Sequence, residues 1–125
     1  MNGIDFFVDT NILIYIMSGR PEVSLIGTFS LGVSVISEIE LLGRKYILPQ
    51  EVNTIRNLLK ECEIIDFNNA IKEIAISIKQ KYTVKIPDAI IVATAKYFGL
   101  PLVTADIDLK KILDVDIVIL DLSTI

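Results

Sequence analysis

The sequence predicts an α/β fold in which a parallel sheet is covered by helices on both faces. Three observations predict it. Short apolar runs alternate with longer stretches whose apolar residues recur at helical spacing. Gly19, Pro21, Gly32, Pro87 and Gly99 stand at the joints between them. The short runs read as strands buried on both sides, which is the signature of a parallel sheet between two helical layers.

Taken in order, residues 4–8 form a strand ending at Asp9, and residues 10–18 a helix closed by Gly19 and Pro21. A second helix is expected over 21–31, with Gly32 opening a strand at 33–36 and Ser37 opening a helix that runs to about Tyr46. Val52, Ile55, Leu58, Leu59 and Cys62 give residues 50–62 one apolar face. A strand at 63–67 follows, then a helix over 68–82 with Ile71, Ile74, Ala75, Ile78 and Tyr82 on one side. Pro87 suits the first turn of the next helix and Gly99 its end. A strand at 102–104, a short helix at 108–113 and a strand at 117–120 complete the chain.

A length of 125 residues fits one domain, 1–125, with a single core. Hydrophobic residues make up 52% and the mean hydropathy is +0.58, so apolar side chains are either all packed inside or partly turned toward a partner. The longest uncharged run, 23–37, is shorter than the roughly 18 apolar residues that span a bilayer, and no membrane segment is expected. Asp5 and Asp9 fall where a secretory signal would be apolar. One cysteine, Cys62, makes no internal disulfide and fits a reducing cytoplasm. The net charge of −4 argues against holding nucleic acid by bulk electrostatics, an objection that weakens if acids cluster around a cation.

Four acids stand at four separate joints: Asp9 after the first strand, Glu40 and Asp88 in the opening turns of helices, and Asp106 after the fourth strand. In open parallel sheets, ligands sit beyond the carboxyl ends of the strands. An all-oxygen set in a chain without histidine suits Mg²⁺ or Mn²⁺, which activates water for attack at phosphorus. Each acid also has a structural explanation. Asp9 is placed to cap the first helix. Ser37-Glu38-Ile39-Glu40 matches a capping box. Asp88 meets a helix dipole, and either Asp106 or Asp108 caps the short helix, with Asp108 the better fit. Asp66 and the Lys110–Lys111 pair read as surface.

In sequence, Phe7-Val8-Asp9-Thr10-Asn11, Ser34-Val35-Ile36-Ser37-Glu38-Ile39-Glu40-Leu41-Leu42-Gly43, Ile86-Pro87-Asp88-Ala89, Gly99-Leu100-Pro101-Leu102-Val103-Thr104 and Asp106-Ile107-Asp108-Leu109 resemble the PIN-domain ribonucleases, of the kind found as the toxin of VapBC-type toxin–antitoxin pairs. The resemblance implies a three-layer α/β/α sandwich with strand order 3-2-1-4-5. It implies metal and catalytic roles for Asp9, Glu40, Asp88 and Asp106, supporting roles for Thr10, Asn11 and Thr104, and an accessory role for Asp108. It further implies an RNA substrate, a homodimer and a cognate antitoxin protein. Ala105 and Ile107 depart from the family, which often has basic or polar residues there.

The absence of histidine excludes histidine-based nucleases, His-ligated zinc and Ser-His-Asp hydrolases. Asn11 stands where a dehalogenase-type phosphatase needs its second aspartate, Leu120-Asp121-Leu122 lacks the lysine of a phosphoacceptor receiver, and Asp9-Thr10-Asn11 is no glycine-rich phosphate loop. The remaining alternative is a catalytically silent PIN-type module that binds RNA or protein.

Overall fold

The computed structural model describes residues 3–122. The outermost residues of the expected 1–125 domain lie outside that range.

Five short strands form one sheet: β1 (Phe6–Val8), β2 (Leu31–Ser34), β3 (Glu63–Ile65), β4 (Leu102–Thr104) and β5 (Ile117–Ile119). Their order is β3-β2-β1-β4-β5, and every pairing is parallel, as the resemblance implied. Six helices connect them: α1 (Thr10–Met17), α2 (Pro21–Ser24), α3 (Val35–Leu42), α4 (Pro49–Lys60), α5 (Asn69–Lys81) and α6 (Ile86–Phe98). None is long and apolar enough to cross a membrane.

Strand alternation sorts the core into two layers. Phe7 and Leu102 face one side, where they pack with Ile71, Ile78 and Ile91 of α5 and α6. Val8 and Val103 face the other, where they meet Ile12 and Leu13 of α1 and Ile55 and Leu59 of α4. Phe7 pairs with both Gly32 and Leu102, so β1 is the centre of the sheet. A Cβ on Gly32 would lie 3.1 Å from Phe7 Cδ1 and 3.3 Å from Ile4, so this glycine is fixed by packing. Gly99 ends α6 in the left-handed region at φ 65°, where glycine carries no Cβ penalty.

Several expected boundaries move. The second helix does not extend over 21–31. It stops at Ser24, a 3₁₀ turn covers Ile26–Thr28, and Phe29 is extended, because Leu31 is needed opposite Phe6 in the sheet. β2 therefore runs over Leu31–Ser34 rather than 33–36. α3 starts at Val35, two residues before Ser37, and ends at Gly43. Ser34 is its cap, accepting the Ile36 N–H at 3.0 Å. Ser37 lies inside the helix, so the expected capping box of Ser37 and Glu40 does not form. The expected 108–113 helix is a 3₁₀ turn, Ile107–Lys111, and its cap is Asp106, not Asp108. Strands β1, β3 and β5 are shorter than expected by one or two residues at an end.

Candidate metal centre

Asp9 is the residue between β1 and α1, and it is 7% exposed. Its two oxygens have separate partners. Oδ1 accepts the Ile12 N–H at 3.0 Å, capping α1, and Oδ2 accepts the Thr104 hydroxyl at 2.5 Å. Capping and a place in the site are thus compatible uses of one carboxylate. Thr104, fully buried at the end of β4, also accepts the Asp106 N–H at 3.0 Å. One hydroxyl joins the ends of the two central strands.

Asp106 is exposed, and its Oδ1 accepts the Asp108 N–H at 3.0 Å. Asp108 turns away to Lys111, whose Nζ lies 3.0 Å from Oδ2 and also donates to Thr83 O at 2.8 Å. Asp88 is the third residue of α6, half-buried, one turn after the exposed Lys85. Glu40 is exposed on α3, where Oε1 accepts the Thr10 hydroxyl at 2.7 Å. Thr10 Oγ1 also lies 2.8 Å from Ser37 Oγ. Asn11 is exposed beside them.

Electrostatics tie these acids together. Burial pushes the Asp9 carboxyl above its ordinary range, the hydrogen bonds from Thr104 and Ile12 oppose the push, and the charges of Asp88 and Asp106 add to it. Asp88 is raised first by burial, then by Asp106 and Glu40, with Lys85 acting in the opposite direction. Asp88 and Asp106 thus act on Asp9, and Asp106 and Glu40 act on Asp88, although the four acids come from four separate elements. Among the described residues, however, no three such side chains stand close enough to grip one ion as they lie.

The donor chemistry fits a hard divalent cation. Every acid is an oxygen donor, no histidine competes, and positive charge would relieve both the repulsion and the desolvation that raise Asp9 and Asp88. Beside Glu40, a cavity of about 510 Å³ is lined by Thr10, Asn11, Ile14, Leu41 and Arg44 among others. A second, almost wholly apolar groove of about 400 Å³ lies between α5 and α6 and contains none of the acids.

The PIN domain family model matches residues 6–114. The chain belongs to the PIN domain family. Among solved structures, this PIN domain is similar to a toxin–antitoxin complex from Klebsiella pneumoniae, at 32% identity and a TM-score of 0.78, covering 91% of this chain and 96% of that one. It shares the fold of VapBC2 from Rickettsia felis bound to a DNA fragment from its promoter, at 23% identity, TM-score 0.77, and 94% and 100% coverage. It also shares the fold of DNA-bound VapBC from Salmonella typhimurium, at 21% identity, TM-score 0.78, and 92% and 97% coverage. No curated protein sequence matches the chain.

Sequence reasoning misses two serines here: Ser34 as the true cap of α3, and Ser37 as the buried partner of Thr10 in this PIN domain's site. Ser37 carried a usable signal. It stands three residues before Glu40, so both project from one side of the helix.

Proposed function

We propose that this chain, as one domain over 1–125, is a Mg²⁺- or Mn²⁺-dependent endoribonuclease and the toxin of a toxin–antitoxin pair. The observation that carries this reading is Asp9, locked between α1 and Thr104 at the carboxyl end of the central strand of a PIN-family sheet, with Asp88 and Asp106 near enough to act on its charge and Glu40 on that of Asp88. These four would hold the ion. When bound, it supplies an activated water for in-line attack on a phosphodiester and charge stabilisation for the leaving oxygen.

The chain's own residues supply the frame. Asp9 is fixed at both oxygens, so its orientation is set by the α1 backbone and Thr104. Thr10 restrains Glu40. Asp106 is exposed and Asp88 half-buried, and rotation of these two side chains toward Asp9 and the restrained Glu40 is what gathering three ligands requires. Thr10, Asn11 and Thr104 act as supporting polar groups, and Asp108, held by Lys111, is at most an accessory acid.

The Klebsiella pneumoniae relative is a toxin–antitoxin complex, which supports a cognate antitoxin for this chain. The cavity beside Glu40 combines Ile14, Met17 and Ile55 with Arg44 and suits a protein segment that reaches the site at Glu40. Ile39, Ile76 and Ile86 are 60%, 45% and 65% exposed, which supports burial against a second copy. The cytoplasm is the proposed location, on the lone Cys62.

Incubation with structured RNA tests the reading. Cleavage should need Mg²⁺ or Mn²⁺, stop in EDTA and leave 5′-phosphate and 3′-hydroxyl ends, because water and not the ribose 2′-hydroxyl attacks. Cleavage that persists in EDTA, or 2′,3′-cyclic phosphate ends, would overturn it. The spacing of the acids favours a second reading, a silent RNA- or protein-binding PIN module, and binding without cleavage in the presence of metal would select it.

A further inference from the structure

Ser37 is 0% exposed as the third residue of α3, where alanine would fill the space at no polar cost. A serine hydroxyl on a helix can be satisfied by nearby backbone. The hydrogen bond that Ser37 makes goes instead to another helix, 2.8 Å to Thr10 Oγ1 at the start of α1.

Proton counting fixes its direction. Thr10 has one hydroxyl hydrogen, and Glu40 Oε1, 2.7 Å away, is a carboxylate oxygen that accepts. With that hydrogen committed to Glu40, Thr10 has only lone pairs left for Ser37. Ser37 is therefore the donor, and the order is Ser37 to Thr10 to Glu40.

Glu40 is exposed and has a long side chain with several rotamers. Thr10 by itself is only partly buried, and its hydroxyl could turn toward water or back to α3. The donation from Ser37 occupies a Thr10 lone pair from beneath and directs its hydrogen outward to the carboxylate. We infer that Ser37 is a positioning residue that acts through Thr10 to hold Glu40 ready for the cation. The inference rests on the proposed role of Glu40 as an ion ligand and names a residue of that site which touches neither ion nor RNA.

Calorimetric titration of the full chain with Mn²⁺ tests it, using wild type, Ser37→Ala, Glu40→Ala and the double variant. Ser37→Ala should weaken Mn²⁺ binding about fivefold, the value of one ordinary hydrogen bond. It should cause no further loss in the Glu40→Ala background, where no side chain remains to be held. RNA cleavage by Ser37→Ala should lose kcat with KM unchanged. Equal loss in both backgrounds would make Ser37 a general packing residue and overturn the inference, as would wild-type affinity in Ser37→Ala. If Ser37→Ala does not fold, Thr10→Val cuts the same relay at its middle atom and should give the same pattern. Wild-type protein that binds no Mn²⁺ would overturn the proposed function itself, and the relay with it.

Discussion

The Thr104 hydroxyl donates to Asp9 Oδ2 across the β1–β4 pair while it accepts the backbone N–H of Asp106. A single buried oxygen thus sets the orientation of the first acid and the path of the chain into the fourth.

Thr104→Val removes that hydroxyl without changing the side chain's shape. The Thr104 hydrogen bond holds the Asp9 carboxyl down against the upward push of burial, so its loss should raise Asp9 further. The pH midpoint of Mn²⁺ binding, followed by thermal shift between about pH 5 and 8, should move upward. Stability should fall by about 1–2 kcal/mol through the orphaned N–H. An unmoved midpoint would separate Thr104 from the site.

Asp9 and Asp88 also give the metal-free protein an unusual pH dependence. Both are raised in the folded chain, chiefly by burial. A group with a raised folded pKa contributes stability that is complete below its unfolded value, about 4, and is lost as pH rises through the folded value. The metal-free melting temperature should therefore climb as pH falls through the raised folded values toward the unfolded value of about 4. Asp88→Asn should flatten that climb, and Mn²⁺ should reverse it by favouring the ionised forms. Identical slopes in wild type and Asp88→Asn would refute this.

Ser34 and Glu40 separate stability from chemistry on one helix. Ser34→Ala removes the α3 cap and should cost about 1 kcal/mol, lowering the melting temperature by a few degrees. Glu40→Gln should barely change melting, because no capping box depends on it and Gln still accepts from Thr10. Its RNA cleavage should fall at least as far as the roughly 100-fold that outer-shell changes reach at metal sites. An active Glu40→Gln would remove Glu40 from the ligand set.

Gly32→Ala tests the centre of the sheet. The added methyl would meet the Phe7 ring at 3.1 Å and Ile4 at 3.3 Å, in the row that ends one residue before Asp9. Overpacking of this kind costs about 1–3 kcal/mol. A melting temperature equal to wild type would show that the strands adjust freely.

Most of the architecture was legible because its signals are local. Pro87 and Gly99 bracket α6, Ile71, Ala75 and Ile78 mark the buried face of α5, and the apolar run before Asp9 reads as a strand. What was not legible depends on partners far away in sequence. Residues 25–31 carry enough apolar side chains to look helical, yet Leu31 is held opposite Phe6 and pulls the chain straight. Ser37-Glu38-Ile39-Glu40 has the letters of a capping box, but the pairing of Ser34 with Ile65 ends β2 at Ser34 and starts the helix two residues earlier. Asp108 looked like the better cap because it stands just before Leu109-Lys110-Lys111. The Thr104–Asp106 bond starts the turn earlier and commits Asp106 instead. The acids could be read as a set from their positions at the joints, whereas Thr10 and Thr104 entered only through the family resemblance, and the contact of Ser37 with Thr10 only through the fold.

Two strand-to-helix joints in this chain have no slack. One residue, Asp9, separates β1 from α1, and none separates β2 from α3. At about 100° of helix rotation per residue, a single-codon insertion at either joint would swing Thr10 or Glu40 round to a different side of its helix and break their contact. A deletion would do the same in the opposite sense. Changes in chain length are therefore confined to places such as 43–48, between α3 and α4, and 25–30, ahead of β2. Homologous chains should align without gaps from the first acid to Thr10 and from Ser34 to Glu40, however much they differ in total length.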